Sequence, residues 1–76
     1  MNTPIEESLR QQVREALYTT ETTQLAVARK LGVSTKYLSQ MLTGRAPLTL
    51  VWAQEIVNLC GMRIEVVVLK GPRNDG

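Results

Sequence analysis

Thr23-Gln24-Leu25-Ala26-Val27-Ala28-Arg29-Lys30-Leu31-Gly32-Val33-Ser34-Thr35-Lys36-Tyr37-Leu38-Ser39-Gln40-Met41-Leu42-Thr43-Gly44 is the stretch on which the fold turns. It reads as two short helices. Thr23 caps the first, whose Val27, Ala28 and Leu31 recur at helical spacing and face inward, with Arg29 and Lys30 outside. Gly32 ends it, because glycine takes the left-handed C-cap conformation at little cost. Ser34 caps the second helix, in which Leu38, Met41 and Leu42 face inward and Thr35, Lys36, Ser39, Gln40 and Thr43 face out. Gly44 closes it. A small residue, Ala28, where the helices approach, together with a tight turn at Gly32-Val33-Ser34, fits a helix-turn-helix. In that geometry the second helix protrudes and can enter a DNA major groove roughly 12 Å wide.

Working outward, the N-terminal side predicts a helix opened by Thr3 as N-cap, Pro4 at the first helical position and Glu6 three residues after the cap. Ile5, Leu9, Val13, Ala16 and Leu17 form its apolar face, and Glu6, Glu7, Arg10, Gln11, Arg14 and Glu15 the polar one. Residues 19–23 are a loop of threonines around Glu21. Downstream, Arg45-Ala46-Pro47-Leu48 is a connector, since Pro47 disfavours helix in the residue before it. Thr49 caps a fourth helix running through Cys60, with Leu50, Trp52 or Ala53, Ile56, Val57, Leu59 and Cys60 apolar, and Gly61 closes it. The period then changes. Met62-Arg63-Ile64-Glu65-Val66-Val67-Val68-Leu69 is rich in β-branched residues, with Ile64, Val66 and Val68 on one face, so a strand is expected over about 62–69 and a flexible tail over 70–76.

Charge divides the chain in the same way. No acidic residue lies between Glu21 and Glu55, while Arg29, Lys30, Lys36 and Arg45 do, so residues 22–54 carry +4. The rest, with five basic and seven acidic residues, carries −2, leaving +2 overall. Seventy-six residues make one domain of marginal stability, and such chains are often reinforced by disulfides, a metal or oligomerisation. One cysteine and no histidine exclude an internal disulfide and a Cys/His zinc site, which leaves oligomerisation. The same absence removes the commonest general base and any Ser-His or Cys-His pair, so no enzyme is expected, and no cofactor, metal or small-molecule ligand. No apolar run approaches a membrane span, and Met1 to Glu7 lacks the basic start and apolar core of a secretory signal. A lone strand cannot satisfy its own backbone groups. The economical expectation is pairing with the same strand of a second copy across a twofold axis, the alternatives being that it packs on its own helices or that the fourth helix extends through it.

Residues 5–60 resemble the helix-turn-helix domain of the phage Cro and repressor proteins and the related XRE-type bacterial regulators. The resemblance is carried by Thr23-Gln24, by Ala28, Gly32, Val33 and Ser34, by Tyr37-Leu38-Ser39-Gln40-Met41-Leu42 and by Gly44-Arg45-Ala46-Pro47-Leu48-Thr49. It implies a mainly α fold of the lambda-repressor-like kind, to which the strand read above is added: four helices followed by one C-terminal strand that pairs across a dimer. It implies that Gln24 touches a phosphate at the start of the first motif helix, that Ser34, Thr35, Lys36, Ser39 and Gln40 face bases or adjacent phosphates, and that Thr43 to Arg45 reach the DNA backbone. The chain departs from the family in two respects: it leaves the fourth helix for a strand, where members often have further helices, and its recognition surface lacks arginine. Lys36 and Gln40 would then do most of the discrimination, Gln40 being suited to an adenine edge. Arg29 or Lys30 is a further phosphate contact. Tyr37 is expected to pack against the first motif helix with its hydroxyl near phosphate, Cys60 to be a buried small hydrophobe, and the dimer interface to comprise Trp52, Ile64, Val66 and Val68. The expected function is a sequence-specific transcriptional regulator, a phage or prophage Cro-like repressor in the cytoplasm of a bacterial host, binding a near-palindromic operator as a homodimer. The alternative is an antitoxin-type regulator that binds its own operator and a protein partner.

Overall fold

A computed structural model describes residues 3–71. The chain is mainly α, with four helices among the described residues: α1 Pro4–Thr19, α2 Gln24–Leu31, α3 Thr35–Thr43 and α4 Leu50–Leu59. Each begins at a hydroxyl that takes the N–H three residues on, Thr3 from Glu6 at 3.0 Å, Thr23 from Ala26 at 3.1 Å, Ser34 from Tyr37 at 3.0 Å and Thr49 from Trp52 at 3.2 Å. These are the four caps expected from the sequence, and each satisfies one of the donors a helix start leaves free. Gly32 (φ 71°) and Gly44 (φ 93°) end α2 and α3 in the left-handed region. The α1 end is built alike but without glycine: Glu21 takes φ 55°, and the N–H groups of Glu21 and Thr22 return to Tyr18 O and Leu17 O at 3.2 and 2.9 Å.

The core lies where α1 meets α3 and α4, and where α2 meets the same two helices. Val13, Ala16 and Leu17 enter from α1, Val27 and Ala28 from α2, Leu38, Met41 and Leu42 from α3, and Ala53, Ile56 and Val57 from α4. Leu48 of the connector is buried with them. Ala28 is small where α2 must come close, and a larger side chain there would force the motif helices apart.

Several expectations are corrected. The apolar stripe of α1 does not bury along its length: Ile5 is 82% exposed, because the N-terminal turn overhangs the core. Arg10, read as part of the polar face, is fully buried. Helix α4 ends at Leu59, with Cys60 half-buried at the cap and its Sγ donating to Ile56 O at 3.6 Å. The Tyr37 ring meets Trp52 of α4 edge-on, at 6.2 Å between centroids. Residues 62–71 form no strand, and no strand is present among the described residues. Ile64 is half-buried against the core, while Val66, Val67 and Leu69 are exposed and Val68 is 93% exposed. A strand is defined by its ladder, and within one chain this segment has nothing to pair with. The expected tail falls mostly on residues 72–76, outside the described residues. No helix among the described residues is long and apolar enough to cross a membrane.

Candidate nucleic-acid interface

Helical spacing puts Lys36, Ser39, Gln40 and Thr43 on one side of α3, and the left-handed turn at Gly44 brings the chain back so that Arg45 joins them. The five residues line one open concavity of about 340 Å³. Its floor is rigid at the turn: Gln40 O accepts the N–H groups of Gly44, Arg45 and Ala46 at 3.1, 2.9 and 3.0 Å. Thr43 Oγ1 donates to Ser39 O at 2.8 Å, so that hydroxyl offers acceptor capacity outward. Ser34 Oγ accepts the Tyr37 N–H and keeps its own proton free to donate. Thr35 is exposed in the first turn of α3. Gln24, first residue of α2, and Arg29, in its last turn, are also exposed, but neither lines the concavity.

Electrostatics favour an anion on this side. Among the described residues the ion pairs are Arg10 with Glu6 and Glu7, and Arg63 with Glu65; Arg29, Lys30, Lys36 and Arg45 have no carboxylate partner. Neither α2 nor α3 has an acidic residue in its first turn, so the positive end of each helix dipole is met by a cap hydroxyl but by no carboxylate, whereas α1 carries Glu6 and Glu7 there. No group of three or more His, Cys, Asp or Glu side chains that could hold a metal occurs among the described residues.

Two residues that position this surface escape a reading of the sequence. Arg10 Nε donates to Met41 O at 2.7 Å and its Nη2 to Ala46 O at 3.3 Å, while Glu6 and Glu7 balance its charge at 2.8 and 2.9 Å. Arg14 Nη1 donates to Leu42 O at 2.6 Å. α1 thus supplies donors to the last carbonyls of α3, which has no basic residue of its own in its final turn. The signal was present in the spacing of Glu6 and Arg10, a favourable i,i+4 pair, but on an isolated helix such a pair reads as solvated.

On another side, α1 and residues 62–67 enclose a groove of about 890 Å³ lined by Ile5, Leu9, Val13, Ile64 and Val66 among others. The structure brings Ile64 and Val66 together there, but not Trp52, which is paired with Tyr37 within the chain. Val68 does not line the groove either. Compared with protein-family models, curated proteins and solved structures, the chain has no match in any of the three.

Proposed function

We propose that this chain is a sequence-specific transcriptional regulator that binds duplex DNA through α3. The observation that carries the reading is the concavity in which Lys36, Ser39, Gln40, Thr43 and Arg45 converge, with neither cation paired to a carboxylate among the described residues. An ordinary solvated helix face mixes both signs of charge; this one holds hydroxyls, an amide and cations, the groups that donate to phosphate and to base edges. In the major groove Gln40 offers an amide matched to adenine N6 and N7, Lys36 reads a neighbouring acceptor, and Ser34, Thr35 and Ser39 add contacts to bases or adjacent phosphates. Arg45 holds the backbone after α3, where Thr43 can join it by turning its hydroxyl from Ser39 O to phosphate, with Gln24 and Arg29 holding it at the two ends of α2.

The protein acts as a homodimer in which residues 62–69 of two copies pair as antiparallel strands, covering Val66 and Val68 and satisfying backbone groups that one chain leaves open. Two recognition helices then stand about 34 Å apart and read successive major grooves of a near-palindromic operator. The resemblance to the Cro and repressor helix-turn-helix proteins supports reading it as a phage or prophage Cro-like repressor in a bacterial cytoplasm, blocking transcription by occupying promoter DNA. A second reading has one specific support, the apolar groove beside α1 with the exposed Val66 to Leu69: an antitoxin-type regulator would hold a protein partner there. Selection of binding sites from random duplex DNA at fixed salt tests the first reading. An enriched palindrome with half-sites one helical turn apart is expected, and no enrichment at low salt would refute DNA recognition. A co-purifying second protein seated on residues 62–69 would favour the second.

A further inference from the structure

Three successive carbonyl groups at the end of α3 are all occupied. Gln40 O takes the amides of the connector, Met41 O takes Arg10 Nε, and Leu42 O takes Arg14 Nη1. A helix end carries a partial negative charge of roughly half an electron, and this end stands beside Thr43 and Arg45, on the surface where phosphate must approach. Left bare, it would repel the ligand that the adjacent side chains attract. The two arginines that cover it differ in charge balance. Arg10 is neutralised by Glu6 and Glu7, whereas Arg14, exposed to solvent, makes no ion pair among the described residues, so its charge is left to act on the helix end. Arg14 also does not line the concavity.

Resting on the DNA-binding reading above, we propose that Arg14 is a positioning residue for the phosphate-facing connector. It cancels the negative end of α3 and fixes Leu42 O, so that the turn through Gly44 to Ala46 stays in the pose that presents Arg45. It does this from α1, without touching the nucleic acid. The arrangement explains why a protruding helix with no terminal cation of its own can sit with its carboxy-terminal end against a polyanion.

The test compares wild type, Arg14→Met and Arg14→Lys in three measurements on the full chain. Amide hydrogen exchange in the free protein should speed up at Gly44, Arg45 and Ala46 in Arg14→Met, with thermal melting lowered by only a few degrees. Binding to the selected site and to random duplex, titrated over a range of KCl, should weaken by about three- to tenfold for both DNAs, in line with the loss of a terminal cation. Arg14→Lys should recover most of that loss, because a cation remains over the helix end. The slope of log affinity against log salt should change by well under the ~0.9 that one lost phosphate contact costs. A slope reduced by about 0.9 would make Arg14 a direct contact and overturn the positioning role. Unchanged affinity and unchanged exchange would overturn the inference while leaving the DNA-binding reading intact. If wild type binds no duplex, the DNA-binding reading itself fails.

Discussion

Replacing Arg10 should cost this small domain a large share of its stability, and the structure says how much of the loss belongs to each part of the side chain. The residue is fully buried, yet no buried side-chain polar atom among the described residues lacks a partner. Its Nε bond to Met41 O, a charged donor on a buried carbonyl, is of a kind worth about 1.5–3 kcal/mol. The 3.3 Å bond to Ala46 O adds less. In Arg10→Met the stem still fills the space, Glu6 and Glu7 are free to turn to water, and the loss should be about 1.5–3 kcal/mol. Arg10→Ala also empties the space and should lose about 3–5 kcal/mol, the lost hydrogen bond plus the cost of the cavity left by a buried side chain. A chain of this size has a total stability on the order of 4–11 kcal/mol, so the alanine variant approaches unfolding at ambient temperature. Urea titration followed by the fluorescence of Trp52, the sole tryptophan, half-buried against Tyr37, reads both losses. With an m-value near ~1 kcal/mol per molar urea, the methionine midpoint falls by about 2 M. Raising salt to about 0.5 M should barely change the difference, since the buried Nε bond to Met41 O dominates it and the pairs with the partly exposed Glu6 and Glu7 add little. A methionine variant within about 0.5 kcal/mol of wild type would mean that water serves Met41 O just as well, and the reasoning about a structural cap would be wrong.

The other expectations are more local. Gln40→Ala should lose about 1–3 kcal/mol of discrimination at one base position while keeping affinity for random DNA, whereas Arg45→Ala should weaken all sequences alike and flatten the salt slope by about 0.9; equal losses on both DNAs for Gln40→Ala would remove it as a reader. Val66→Pro takes a donor from the proposed ladder and should shift sedimentation toward the monomer mass; an unchanged dimer would place the interface elsewhere. Glu21→Gly relieves a non-glycine residue at φ 55° and should raise stability by about 0.5–1 kcal/mol, a rise of about 2–8 °C in melting temperature. A lower melting temperature would show that the Glu21 side chain contributes more than its backbone costs.

How much could be read in advance follows the range of each interaction. Helix starts at Thr3, Thr23, Ser34 and Thr49 and the glycine-closed ends of α2 and α3 were legible because a cap is a contact between residues three to five apart. The outward set on α3 was legible for the same reason, since a period of 3.6 assigns faces without knowledge of neighbours. Burial along α1 was less legible: Ile5 and Val13 share a stripe, but only Val13 has helices beneath it.

By itself, then, the sequence determined where the four helices begin and where α2 and α3 end, the acid-free middle of the chain, and which α3 side chains face away from the core. Only the tertiary structure decided that Arg10 is buried and, with the exposed Arg14, closes the end of α3, that Tyr37 meets Trp52, and that Arg45 folds back beside Lys36 and Gln40. Those contacts join residues far apart in the chain, and whether a charged side chain is solvated or buried depends on what lies opposite it, which no local pattern records. The segment at 62–69 stands at the limit of both: its strand-like pattern is written in the sequence, but a ladder needs a second set of backbone groups that one folded chain does not supply.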